Sequence, residues 1–250
     1  MLANLVRKIV PENWRPIGYL THLTQAKTTY KVQAGPFAGM RYIEKSIGSA
    51  YIPKLLGIYE RELNPFIEKA CQLDLQKIID IGGGEGYYAV GMALKNPSTQ
   101  IIVYEMEAKG QDAIAQMAKL NSVFDQIKIC GKCELEDLKQ ELLGNSKKLV
   151  ICDVEGYELN LLNPDKVPSF KNTCILVELH DFITRGLAEE IYSRFESTHY
   201  IKRIWQKDRY KNDFPYHTFY TQLLPSSYID WAVSEWRPEQ MSWFWMEPLK

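Results

Sequence analysis

The run Lys77–Ala93, KIIDIGGGEGYYAVGMA, concentrates residues that can touch a small molecule. Gly82, Gly83, Gly84 and Gly86 fall within five positions, Asp80 precedes them and Glu85 stands among them. Glycine lacks a Cβ and tolerates positive φ, so backbone can approach a ligand closely. The spacing argues against two common phosphate sites. A dinucleotide fingerprint counted from Gly82 needs glycine at position 87, where Tyr87 stands, and no Gly-Lys-Ser/Thr sequence follows. Asp80 and Glu85 would also repel a pyrophosphate; they suit a ligand with an ammonium group. Glu105 closes the apolar run of IIVYEME, 23 residues after Gly82. An acid at such a place accepts hydrogen bonds from ribose hydroxyls.

A second group of reactive side chains follows two later apolar runs. Asp153 and Glu155 come after KLVIC; Glu178, His180 and Asp181 come at the end of ILVELHD. Two chemistries are open to them. One is general acid/base work, with His180 or Asp153 as base. The other is a divalent metal on Asp153 with Glu178 or Asp181, which would acidify a hydroxyl. Metal is the less favoured option, and no metal-ligand set is assigned. A plainer alternative has Glu155 and Glu178 only capping helices and holding loops. The pair Cys130 and Cys133 has the spacing of a redox or zinc motif, but zinc needs a second pair that the chain lacks. His22, His199 and His217 are expected at the surface or in packing.

These residues need a frame to hold them. Strands are predicted over Lys77–Ile81, Gln100–Tyr104, Gln126–Cys130, Lys148–Cys152 and Thr173–Glu178. Helices are predicted over Tyr87–Lys95, Gly110–Asn121, Leu135–Leu143, Tyr157–Leu162 and Leu187–Ser193. Near-continuous Ile, Val and Leu in the strands fits burial on both faces. Strand–helix alternation fits a doubly wound parallel α/β sheet. HYIKRIWQ and SWFWME add two strands, with an aromatic insert at about 207–240 between them. That insert could shape a pocket, make a dimer contact or form a local core. Ahead of the core, YKVQAGPFAGMRYI predicts a β-hairpin and IPKLLGIYERELNPFIEKAC predicts helix, with Asn64 as a cap and Pro65 first in its turn. The reading is an extension over 1–70 with its hairpin and helices covering the cofactor site, and a main domain over 71–250.

A ligand with adenine, ribose, ammonium and a positive centre is S-adenosylmethionine (SAM). Asp80-Ile-Gly-Gly-Gly-Glu-Gly86 resembles the first motif of class I SAM-dependent methyltransferases, and Glu105 resembles their ribose acid. ICDVEGYELNLL with ILVELHD is similar to the FkbM family, which carries Asp-x-Glu-Gly at the fourth strand. The likeness covers about residues 55–185, plus WFWMEP. It implies a Rossmann-like seven-stranded, mostly parallel sheet with the last strand antiparallel. It implies that Asp80, Gly82, Gly83, Gly84 and Glu85 hold the methionine end. Met106 and the loop Gly131–Glu134, Cys133 included, would flank adenine. Tyr59 and Glu60 would close over the cofactor, and Asp153 would reach both cofactor and acceptor. Catalysis would fall to Asp153, Glu155, Glu178 and His180, on a hydroxyl of a saccharide or small natural product. Asn/Asp-Pro-Pro-Tyr, usual in enzymes that methylate base amines, is absent from the fourth strand. An inactive SAM-binding protein acting as partner or sensor is the alternative. A nicotinamide-dependent reductase is disfavoured by Tyr87 and Asp80.

Length and composition allow a sizeable core, as one domain with insertions or one domain plus an N-terminal appendage. The 250 residues carry a formal net charge of −1, so nothing demands nucleic acid. The first 60 residues hold eight Lys/Arg against three acids, which reads as a solvated face or as a contact for an anionic partner or a membrane surface. No run approaches the ~18 apolar residues of a membrane span. MLANLVRKIVPENW reads as a short docking helix without a cleavage site. Five cysteines, an odd number, fit a reduced cytoplasm. A homodimer is left open by the aromatic tail.

Overall fold

The computed structural model describes Pro11, residues 15–44, Ser46 and residues 50–249, so the docking helix expected before Trp14 lies outside the described residues, Pro11 excepted. In chain order the elements are α1 (Pro16–Thr28), α2 (Tyr51–Leu56), α3 (Asn64–Gln72), β1 (Lys77–Ile81), α4 (Tyr87–Lys95), β2 (Gln100–Tyr104) and α5 (Ala108–Leu120). There follow β3 (Ile127–Cys130), α6 (Leu135–Glu141), β4 (Lys148–Cys152), α7 (Glu158–Leu161), β5 (Thr173–Leu179) and α8 (Leu187–Phe195). Last come β6 (His199–Trp205), α9 (Phe219–Leu223), α10 (Ser226–Val233) and β7 (Ser242–Pro248). Contacts divide the chain into two units. One takes its described residues from Met1–Arg61 and Lys207–Pro238; the other takes them from Glu62–Gln206 and Glu239–Lys250.

The larger unit is a seven-stranded sheet in the order β3-β2-β1-β4-β5-β7-β6. β1 to β5 pair in parallel, and β7 runs antiparallel to both β5 and β6. The strands form where β-branched and other apolar residues run together, since both faces of such a strand are covered by helices. Ile79, Val150, Ile175, Val177, Phe170 and Phe195 belong to one buried cluster with Leu138 and Ile191 of the helices. Burying each such side chain contributes about 1.5–3 kcal/mol. The register then sets the site. Ile81 lies opposite Tyr104 of β2 and Cys152 of β4, so those three strands end level. Gly82, Glu105 and Asp153 therefore emerge side by side. Cys152 faces Val177, which sets Glu178 next to Asp153. Strand order reverses between β1 and β4, and ligands of open α/β sheets bind at such a switch point.

The smaller unit has its own core, with Leu20, Ile52, Leu56, Phe214, Ala232 and Val233 buried together. The hairpin expected over 30–43 is reduced to a single antiparallel bridge, Lys31–Arg41, around a tight turn. The helix expected from Ile52 onward breaks at Gly57, whose φ is +74°. A Cβ there would lie 2.1 Å from the Ala34 carbonyl oxygen. α3 starts one residue earlier than expected, so Asn64 lies inside it and Leu63 caps it. A buried ionic group joins the two chain segments of this unit. Arg209 reaches Glu235 at 2.8 Å, with both side chains 1% exposed. Arg237 pairs with Glu60, and the Glu60 N–H donates to Glu235 Oε1 at 3.0 Å. Burial, then the charge of Glu60, pushes Glu235 up to about 7 against the pull of the two arginines.

Candidate functional site

The glycine loop is shaped by what surrounds it. Gly82 has φ +87°, and a Cβ on it would sit 1.7 Å from the carbonyl oxygen of Asp153. Only glycine lets the turn after β1 touch the turn after β4. The N–H groups of Gly82 and Gly83 both donate to Tyr104 O, and that of Gly86 donates to Gly83 O. Gly84 N–H donates to Glu105 Oε2 at 2.8 Å. Four loop donors are thus spent within the fold, which disfavours a pyrophosphate cradle. Asp80, in β1, and Glu85 are buried beside the loop.

Glu105 is clamped from both sides. Its second oxygen, Oε1, accepts the Glu107 N–H at 2.8 Å. The carboxylate is half-buried and keeps lone pairs on both oxygens for a diol. Two neighbours that sequence reasoning missed hold it there. Gly110, in α5, is packed so closely that a Cβ would lie 2.5 Å from Glu105 Cγ and 2.9 Å from Gly84 O. Gln111 donates through Nε2 to the Glu105 carbonyl at 2.7 Å. A glycine inside a helical pattern was the available signal for the first.

The second group gathers at the ends of β4 and β5. Asp153, Glu178 and His180 offer donor atoms that all lie within 4.8 Å of one another. His180 Nε2 is 3.5 Å from Asp153 Oδ1. Its Nδ1 is 2.5 Å from Oε1 of Glu158, a fully buried residue that opens α7. Glu158 is the other residue that sequence reasoning missed. A glutamate at a helix start reads as a dipole partner, and only the pairing of β4 with β5 brings it to the histidine. The same Glu158 oxygen accepts the Gly156 N–H at 3.2 Å. Burial opposes protonation of His180, yet the Glu158 hydrogen bond and the Asp153 charge outweigh it and raise its pKa.

The remaining expected residues are spread more widely. Glu155 sits exposed on the turn after β4 with φ +43°, and its charge also favours protonated His180. Asp181, weighed above as a metal partner, caps α8 by accepting the Ala188 N–H at 3.0 Å, and it pairs with Arg203 at 3.2 Å. Met106 is strongly exposed after β2. Cys133 packs into the sheet core beside Tyr104 and Leu138, and burial, with nearby acids, raises its thiol well above the usual range. All five cysteines are free thiols. Tyr59 and Glu60 belong to the smaller unit, where the Lys54 ammonium lies 4.6 Å over the Tyr59 ring and Arg237 holds Glu60. His22 and His217 are exposed, and His199 is buried in packing.

Neither the protein-family models nor the curated proteins give a match to this sequence. Solved structures do match. A precorrin-6Y C5,15-methyltransferase from Geobacter metallireducens GS-15 superposes with a TM-score of 0.51 and 14% identity, over 79% of this chain and 91% of that one. The C-terminal domain of the precorrin-6Y C5,15-methyltransferase from Rhodobacter capsulatus gives 0.48 and 14%, over 74% and 89%. A SAM-dependent O-methyltransferase from Thermotoga maritima gives 0.45 and 12%, over 74% of this chain and 64% of that one. The seven-stranded, mostly parallel sheet flanked by helices has the Rossmann-like fold of class I methyltransferases.

Proposed function

We propose that the chain is a SAM-dependent methyltransferase of FkbM-like character, acting on a hydroxyl oxygen of a saccharide or small natural product in the cytoplasm. The carrying observation is the Glu105 carboxylate, fixed by the Gly84 and Glu107 N–H groups at the mouth of the glycine loop. The residues present fit SAM: an acid is placed for ribose, acids flank the loop in place of phosphate donors, and a Cβ on Gly84 would meet only open space. Asp80, Gly82–Gly84 and Glu85 would hold the amino-acid end; Met106 and the loop bearing Cys133 would flank the adenine. The Glu60 carboxylate, expected near the cofactor, is engaged by Arg237 within the smaller unit.

When bound, SAM supplies a methyl group already activated by its sulfonium. The chain's share is alignment and proton handling. An acceptor oxygen must be held about 3 Å from the methyl carbon, with water kept out. Asp153, the most open of its cluster, orients the hydroxyl. Glu178 and His180 weaken the O–H bond from behind, and Glu158 keeps the imidazole from turning. Glu155 stands at the rim and adds negative charge.

Calorimetric titration with SAM and S-adenosylhomocysteine tests the reading. Low-micromolar binding of both is expected, with at least a tenfold loss in Glu105→Ala. Absence of binding to the folded wild-type chain would refute it.

A further inference from the structure

We propose that Asp153, Glu178 and His180 form a site for one divalent transition-metal cation, open on one side to the oxygens of an acceptor. The three side chains stand on the ends of two paired strands, β4 and β5, so their spacing is set by the sheet. Their donor atoms lie within 4.8 Å of one another, and His180 Nε2 is 3.5 Å from Asp153 Oδ1. Ligands at about 2.1 Å from an octahedral ion are about 3 Å apart when adjacent and about 4.2 Å apart when opposite. Closing on an ion therefore needs side-chain shifts of about 1 Å or less, with the strands unmoved.

Glu158 is the independent observation that points to an ion. Its buried carboxylate holds His180 Nδ1 at 2.5 Å. With Nδ1 engaged by Glu158, Nε2 is the nitrogen left on the Asp153 side, where a bound cation would take the place of its proton. Carboxylate–histidine–metal triads are built this way, the outer acid fixing tautomer and ring orientation. Charge is matched too: two carboxylates and a neutral imidazole balance a 2+ ion. An imidazole among oxygen donors favours Mn2+, Fe2+ or Zn2+ over Ca2+. Glu178 and His180 are buried, while the Asp153 side chain is 42% exposed, which leaves an approach on one side.

The consequence for substrate rests on the methyltransferase reading; the ion site does not. Three protein donors leave about three positions on an octahedral ion. That suits an acceptor with two adjacent oxygens, such as a vicinal diol. With an ion bound, the three side chains would act on the hydroxyl through it rather than directly, and the bound hydroxyl would become more acidic. Its proton leaves to solvent, its oxygen pair forms the bond to the methyl carbon, and the carbon–sulfur pair returns to sulfur.

The test uses the full chain, stripped with chelator and titrated with Mn2+ while the paramagnetic resonance of free ion is followed. One Mn2+ per chain is expected, displaced by Zn2+. Asp153→Asn, Glu178→Gln and His180→Gln should each weaken binding more than tenfold. Glu158→Gln, a positioning change, should weaken it about 10- to 100-fold with the circular dichroism unchanged. Asp153 is partly exposed, so its variant reports even if a buried replacement unfolds the chain. No Mn2+ or Zn2+ binding below millimolar, or equal affinity in Asp153→Asn, would overturn the proposal. Parallel titration with S-adenosylhomocysteine separates the two ideas. Cofactor binding without ion binding sinks only the cation site, and the reverse sinks only the methyltransferase reading.

Discussion

The carboxylate of Glu105 is held by two backbone donors and braced by Gly110 behind it, so its position is set by packing as well as by hydrogen bonds. Gly110→Ala should therefore act at a distance. The new methyl group must push Glu105 or the Gly84 carbonyl aside, costing about 1–3 kcal/mol of stability as overpacking. S-Adenosylhomocysteine affinity should fall about tenfold while the fold survives, which melting and titration together would show. His199 gives a pH-linked expectation. It is buried, and burial lowers its pKa, with hydrogen bonds to backbone oxygens only partly opposing. A base depressed in the folded state contributes its full stability above the unfolded value, about 6.5. That stability is lost as pH falls below 6.5 toward the folded value, because the unfolded chain takes up the proton first. Denaturant midpoints between pH 7.5 and 5 should drop in wild type and drop less in His199→Gln.

At the scale of elements, the contact between the β1 and β4 turns decides whether the two halves of the site meet. Gly82→Ala places a carbon 1.7 Å from the Asp153 carbonyl in a left-handed backbone. It should cost about 3 kcal/mol or more, seen as a large fall in melting temperature. Sequence made much of this frame legible. β1, β2 and β4 follow their apolar runs residue for residue, because a strand buried on both faces writes itself as a local run. The glycine loop and Glu105 were legible for a similar reason: each sits next to a strand end. β3 begins one residue late because Gln126 turns its amide to the carbonyls of Asn96 and Thr99. α5 begins at Ala108, ahead of the glycine expected to open it. Glu158 stayed hidden because its partner is 22 residues away, just past the end of β5, and no local spacing records that pairing. The hairpin over 30–43 shrank to one bridge because Gly35 and Gly39 turn the chain before a ladder can extend.

At the scale of the molecule, the two units have different means of support. The smaller unit relies on buried charge, and Arg209→Ala would leave Glu235 buried without its closest cation. A loss of about 3–5 kcal/mol is expected, read as an early thermal transition with the sheet unit melting later. The last consequence comes from where Lys207–Pro238 leave and rejoin the sheet. Trp205 and Ser242 are already partners across β6 and β7, and Gln206 N–H donates to the Met241 carbonyl at 3.0 Å. The departing and returning chains are neighbours before the insert begins. Lengthening such a loop from about four residues to about 32 costs only about 2 kcal/mol in closure entropy. That doorway works like a socket: what is plugged into it can be exchanged without re-threading a strand. Joining Gln206 to Glu239 through a short Asn-Gly turn, in a chain beginning at Glu62, should leave a folded sheet that still binds S-adenosylhomocysteine. Sequence change can then accumulate in the insert while the strands on either side of it keep their pairing.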